Sequence, residues 1–312
     1  MTTQTLVQAA KFIHNEIVAG IVEDIITVNP WFVYLPFIGY DGQAIVVNRE
    51  LALGDADFYA IGSEITNRTP STYEQATFTA TKIIGDVEMD GLVQAQSLSA
   101  GVDQAAIEIS QKAKKIGRLF QQGMATGTGT SPAMHSLASL IDSEQYTAPS
   151  NGQPISFKLL RDLLSLVKAK DGEVDWIIMN SRTINSLWTL YEQLGGTAPT
   201  HIITLPNGTT RIIPMFMNVP VFTNDWLPIT ETANGAALVG GDLTSVYAGV
   251  FDDGSGKLGI AGIHPSSTPA GIQVKDIGEM EDYDAMLYRI IQYANFACFN
   301  RRGIARLPSI QD

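Results

Sequence analysis

The chain has one cysteine, Cys298, among 312 residues. A single thiol closes no intrachain disulfide, so no disulfide framework holds the fold, and this usage fits a reducing compartment such as a bacterial cytosol. Cys298 lies in the apolar run from Tyr293 to Phe299 and reads as a small buried hydrophobe rather than a nucleophile. Long apolar runs are also missing. The best candidate, Ile17 to Val28, is broken by Glu23 and Asp24 and stops at Pro30, short of the roughly 18 residues that mark a membrane span. The opening residues, Met1-Thr2-Thr3-Gln4-Thr5, carry no basic region ahead of an apolar stretch, as a signal peptide would. Positive charge is scarce: 20 Lys and Arg stand against 32 Asp and Glu, a net charge of −12. That argues against a protein that grips DNA through its phosphates. It leaves room for the lining of a container in which a polyanion packs without sticking.

Catalytic signatures are missing too. Gly254-Ser255-Gly256-Lys257 looks like the end of a phosphate-binding loop, but that spacing needs Gly at 251 and Ser or Thr at 258, where Phe251 and Leu258 stand. Gly127-Thr128-Gly129 lacks the third glycine of a dinucleotide fingerprint and follows a helix pattern, not a strand. There is no Gly-x-Ser-x-Gly elbow. His14, His135, His201 and His264 are far apart and in no metal-binding pattern. The acidic run Glu279, Glu281, Asp282, Asp284 reads as a solvated strand edge, with Arg289, Arg301 and Arg302 as partners, ahead of a cation site. No cofactor or metal site is predicted, and the chain reads as a structural protein rather than an enzyme.

What is present is enough to fold. The hydrophobic share of 45% suits an ordinary globular protein, and the length suggests about two domains of roughly 150 residues. Leu6, Ala10, Ile13, Ile17 and Ile21 recur at helical spacing. Trp31 to Pro36 is read as extended and aromatic, and Ala44 to Val47 as a short strand after the Asp41-Gly42 turn. Weakly periodic sequence fills Leu53 to Ser71, and strand formers return from Tyr73 to Ile84. Two strands flanking a long polar stretch predict a two-stranded arm whose work lies outside the domain.

The clearest element is a helix over Val102 to Met124. Val102, Ala106, Ile109, Ala113, Ile116 and Phe120 step by four and three, while Glu108, Lys112, Lys115 and Arg118 take the other face. Its 23 or so residues span roughly 34 Å, and Gly123 to Gly129 ends it. Ser156 caps a helix with Leu159, Leu160, Leu163, Leu164 and Val167 on one side. The chain turns at Asp171-Gly172, Val174 to Met179 is a buried strand, and Asn180 or Ser181 caps a helix closed by Gly195-Gly196. Strand signals follow at Thr210–Ile213, Val219–Thr223, Ala236–Val239 and Ser245–Val250, with a hairpin turn at Asp252–Gly256. Gly271 to Phe299 reads as long strands, with a helix over Ala285–Tyr293 as the alternative. The mixture predicts an α+β fold.

The order of these segments resembles the Hong Kong 97-type major capsid proteins of tailed bacteriophages. Four stretches carry the resemblance. Phe32-Val33-Tyr34-Leu35-Pro36-Phe37 with Val47-Asn48-Arg49-Glu50 is similar to the start of that family's extended arm. Ala76-Thr77-Phe78-Thr79-Ala80-Thr81-Lys82-Ile83-Ile84-Gly85 is similar to its return. Val219-Pro220-Val221-Phe222-Thr223-Asn224-Asp225, ahead of Gly240-Gly241-Asp242-Leu243, resembles a recurrent strand and turn. The strands running to Gly303-Ile304-Ala305 resemble the close of the peripheral domain.

The resemblance implies a division of labour. Residues 1–41 are an N-terminal arm, 42–72 an extended two-stranded loop, and 73–130 a peripheral domain with the spine helix. Residues 131–265 are an axial domain and 266–312 the peripheral strands. It implies a homo-oligomer of pentamers and hexamers closing an icosahedral shell around double-stranded DNA, held without sequence-specific binding. Separate scaffold, portal and decoration proteins would be partners, no membrane would be involved, and the place would be the virion after assembly in the bacterial cytoplasm. Arg49, Phe58, Tyr59, Glu64 and Arg68 on the arm are the candidate contacts between subunits. An encapsulin-type bacterial nanocompartment shares the fold and is the alternative; a hydrolase with a site gathered from distant residues is the second. Because the arm-start motif lies at Phe32, little room is left for a cleaved scaffolding segment, and an intact N-terminus is expected in the mature shell. The founding family member cross-links a lysine on its arm to a neighbour's asparagine. Here Gln43 to Thr81 contains no lysine, and the guanidinium groups of Arg49 and Arg68 do not serve as nucleophiles. Cross-linking is therefore not expected, and Arg49 and Arg68 are expected to reach acids next door.

Overall fold

A computed structural model describes residues 31–99, 103–146, 152–167, 173–196, 199–204, 210–231 and 243–311. The helix expected over residues 6–21, the turn at 171–172 and the strand at 236–239 lie outside the described residues.

The described chain begins with one helical turn, α1 (Trp31–Tyr34), then β1 (Phe37–Tyr40) and the hairpin strands β2 (Ile45–Ala52) and β3 (Thr72–Phe78). β4 (Thr81–Asp90) leads through α2 (Gly91–Ser99) to the spine helix α3 (Gln104–Thr126) and a short α4 (Leu137–Leu140). Next come β5 (Gln153–Pro154), α5 (Phe157–Leu166), β6 (Trp176–Met179) and α6 (Ser181–Gln193). The rest is strand: β7 (Thr200–Thr204), β8 (Thr210–Phe216), β9 (Val219–Thr223), β10 (Leu243–Gly249), β11 (Ile260–Pro265), β12 (Gln273–Met280), β13 (Tyr283–Cys298) and β14 (Ile304–Gln311).

Among the described residues these strands form two sheets and a separate two-stranded ribbon. The first sheet runs β1-β11-β13-β12 with β4 on the other side of β13. β13 is its axis: Gln273–Met280 and Ile260–Ile263 pair with successive parts of one edge, and Thr81–Asp90 with the other. Pairing on both edges is what makes Ala285–Tyr293 a strand rather than the alternative helix. The second sheet runs β5-β14-β10-β6-β9-β8-β7. β8 and β9 are joined by a two-residue turn in which Met217 (φ 49°) and Asn218 (φ 65°) are both left-handed, the backbone that tight hairpins require.

β6 shows how sequence becomes layers. All four of its residues are buried, and alternation sends Trp176 and Ile178 to one core and Ile177 and Met179 to another. The second core is closed by α5 and α6, which contribute Leu160, Leu163, Ile184 and Leu187. The first is aromatic and joins the two sheets: Trp31 packs edge-on to Trp176 at 5.4 Å, and Phe120 of the spine helix meets Phe296 of β13 at 4.9 Å. Gly249 has to be glycine here, since a Cβ would come within 2.6 Å of the Trp176 ring.

The structure corrects several expectations. Trp31–Tyr34 is a helical turn, not extended: one turn puts Trp31 and Leu35, both buried, on the same side. Asp252–Gly256 does not close a hairpin, because β10 and β11 belong to different sheets. It is a crossover loop wound around the buried Asp252 carboxylate, which accepts from the amides of Gly254, Gly256, Lys257 and Leu258 at 2.8–3.0 Å. Ile260–Pro265 joins the first sheet, and Ile304–Gln311 crosses back to pair with β10 in the second. The acidic run Glu279–Asp284 sits at the β12–β13 turn, and two of the three arginines assigned to it go elsewhere: Arg289 pairs with Asp86 at 2.9 Å, and Arg301 with Asp142.

Candidate functional site

Among the described residues β2 and β3 pair only with each other, from Ile45↔Phe78 to Ala52↔Thr72. Beyond them the chain from 53 to 71 has no regular strand or helix, and nearly all of it is exposed. A ribbon outside both sheets has little of its own core, so local bonds organise its tip. The Asp55 amide donates to the Thr69 carbonyl (3.2 Å), the Gly54 amide to Ser71 Oγ (3.0 Å) and the Asn67 amide to Tyr59 Oη (3.1 Å). Asn67 Nδ2 donates to the Asp57 carboxylate.

The sequence candidates separate into two places. Phe58, Tyr59, Glu64 and Arg68 are all in the exposed tip. Phe58 is fully exposed, and so is Ile61, which the sequence reading missed; Leu53 is 77% exposed and Ile65 57%. The signal for Ile61 was an aliphatic side chain beside Gly62 with no periodic partner. Apolar side chains grouped on a projection, rather than scattered, mark a contact surface.

Arg49 is not in the tip. Its Nε donates to the Phe299 carbonyl at 3.2 Å, and Nη2 donates to the Cys298 carbonyl. The guanidinium also lies over the Phe78 ring, 5.4 Å from its centroid. One side chain on the outgoing strand therefore holds the returning strand and the end of β13 together. Asn295, buried on β13, completes the base: its Nδ2 donates to the Thr79 carbonyl (2.7 Å) and its Oδ1 accepts from the His135 amide (2.8 Å). Within the subunit, two backbone carbonyls occupy the Arg49 fork.

Two groups of nucleophile type are held in their protonated form. Burial pushes the Cys298 thiol up to about 12 and the Tyr247 phenol up to about 12, away from any nucleophilic form. His135 Nδ1 lies 3.4 Å from Ser139 Oγ, but that hydroxyl donates to the Ser136 carbonyl (2.9 Å) and closes the cap of α4. Among the described residues no group of His, Cys, Asp and Glu is placed to hold a metal ion, and no helix is long and apolar enough to cross a membrane.

No protein-family model matches the sequence, and no curated protein matches it. Solved structures do. The capsid of cyanophage A-1(L) superposes over 98% of this chain and 99% of its own, with TM-score 0.72 and 12% identity. The holo-SrpI encapsulin complex from Synechococcus elongatus PCC 7942 covers 100% of this chain and 97% of its own, with TM-score 0.69 and 15% identity. The capsid of a native GTA particle covers 96% of each chain, with TM-score 0.66 and 10% identity. Likeness that runs end to end at such identities is likeness of architecture, and with the arm, the spine helix and the two sheets it shows that this chain has the Hong Kong 97-type shell-protein fold.

Proposed function

We propose that the chain is a major capsid protein, a subunit that self-assembles as pentamers and hexamers into an icosahedral shell around phage double-stranded DNA. One observation carries this reading: the two-stranded arm projects from both sheets and exposes Phe58 and Ile61 fully at its tip. Such side chains gain nothing in a lone subunit and about 25 cal/mol per Å² when a neighbour covers them. Repeated around rotation axes, one modest contact of this kind closes a shell. Arg68 and Glu64 beside them supply charge for pairing with the adjacent subunit, while Arg49 sets the base from which the arm leaves. The end-to-end likeness to capsid chains supports the same reading.

The likeness to an encapsulin favours a second reading, a nanocompartment that encloses protein cargo. The two differ in contents rather than in wall. The test is electron microscopy of the purified full-length protein, alone and co-expressed with a candidate scaffold protein, followed by analysis of what the particles hold. Closed icosahedral shells are expected, with nucleic acid inside. A compact monomer under every condition would sink the shell reading, and shells containing a co-purifying enzyme would move it to the nanocompartment.

A further inference from the structure

We propose that the solvent face of the spine helix α3 is a contact surface for nucleic-acid phosphates. The chain as a whole repels a polyanion, with a net charge of −12. Its charges are not evenly spread. From Glu108 to Asp142 there is no intervening carboxylate, and that stretch holds Lys112, Lys114, Lys115 and Arg118 within two helical turns. Ile109, Ala113, Ile116 and Phe120 pack the opposite side of the helix into the core with Ile83 and Val87 of β4. Lys114 and Lys115 are exposed, and Lys112 and Arg118 are partly exposed.

The geometry suits a backbone contact. At about 1.5 Å per residue, Lys112, Lys115 and Arg118 form a row about 9 Å long. A duplex carries one charge per roughly 1.7 Å, so the row spans about five phosphates' worth of charge. The Lys112 stem is laid across Gly85, where a Cβ would meet its Cγ at 2.9 Å, and its charge adds to the Arg289 hydrogen bond in holding the neighbouring Asp86 carboxyl below the usual range. Arg118 Nε is buried without an acceptor, and among the described residues neither Lys115 nor Arg118 enters an ion pair. Three of the four cations are lysines, a residue type depleted from protein–protein contacts. That favours phosphate over an acidic protein segment. A row of point charges reads the backbone and not the bases.

The proposal rests on the shell reading for the source of the nucleic acid, and its test does not depend on assembly. Unassembled full-length protein is titrated with a labelled duplex of mixed sequence between about 25 and 200 mM salt and followed by fluorescence anisotropy. Weak binding is expected, with log K falling against log salt at a slope of about −2.7 for three contacts. Lys115→Gln and Arg118→Gln should each reduce the slope by about 1, on any duplex sequence. Lys158→Gln, exposed at the start of α5, should leave it unchanged. Gln is a good helix former, so the helix is retained. No binding at any salt, or a slope the two variants do not move, overturns the proposal. Binding to polyglutamate but not to the duplex overturns it in favour of an acidic protein partner. Shells that form while the slope stays fixed remove the surface and keep the shell; a slope that responds in a protein that never forms shells does the reverse.

Discussion

Arg49 and His135 both contact the Phe78 ring at the base of the arm, Arg49 at 5.4 Å from its centroid and His135 edge-on at 5.7 Å. Removing the Arg49 fork frees two carbonyls and the stacking on Phe78. Arg49→Gln is expected to lower the stability of the unassembled subunit by about 1–2 kcal/mol, since hydrogen bonds to charged groups exceed neutral ones. Arg49→Lys should recover part of it, keeping charge but losing the fork. Denaturant unfolding of the three proteins is the check, and equal midpoints would contradict the clasp. His135 gives a pH dependence. Burial holds its ring below the ordinary value of 6.5, so the native state binds fewer protons than the unfolded chain in that interval. Its contribution is full above 6.5 and is lost as pH falls through the depressed folded value. A melting temperature that declines on acidification from pH 7.5 to 5, with a shallower decline in His135→Gln, is the expected outcome. Asp86 and Asp142 are held low by hydrogen bonds from Arg289 and Arg301, so their losses come at more acid pH and do not mimic it.

At the scale of elements, the arm and the spine helix respond to different assays. Phe58→Ser with Ile61→Ser removes apolar surface that touches nothing in the subunit, so unfolding of the monomer should change by less than about 0.5 kcal/mol while the yield of closed particles falls. Arg68→Glu should act in the same direction. A variant that melts early but assembles normally would place these side chains inside the subunit's own stability instead. The spine helix is capped by Asp103, whose carboxylate accepts from the Ala106 amide at 3.1 Å. Asp103→Ala should cost about 1 kcal/mol of subunit stability, measured by the same denaturant curves. Elements differed in how far they could be read. The caps at Ser156 and Asn180 were legible because a cap is local chemistry between neighbours. α2 at Gly91–Ser99 was not, since it carries no clear apolar stripe and is held by β4, β13 and α3.

For the whole molecule, the arm's composition decides how a shell would be held. No lysine lies between Gln43 and Thr81, and Arg49 is engaged at the base. Particles boiled in denaturant should therefore run as one band near 33.7 kDa. A ladder of covalent oligomers that survives reducing agent would refute this. Without such bonds, the particles should also dissociate in denaturant concentrations close to those that release the arm.

The sequence by itself determined what depends on near neighbours: the amphipathic spine, the helix caps, the strands β6 and β9, the exposed stretch at 53–71, and the absence of a catalytic or metal motif. The α+β class and the resemblance to shell proteins followed from the order of those pieces. Tertiary structure decided what depends on distant partners. Ala285–Tyr293 carried helix and strand signals alike, and pairing with β4 on one edge and β12 on the other made it a strand. Asp252 looked like part of a turn until the crossover between sheets wrapped four amides around it. Arg49 looked like a free cation on an arm, and only the return of β13, some 250 residues along the chain, brought two carbonyls to its fork. Periodicity and capping act over a few residues; which strand lies beside which is settled by burial of the whole, and no local pattern encodes it.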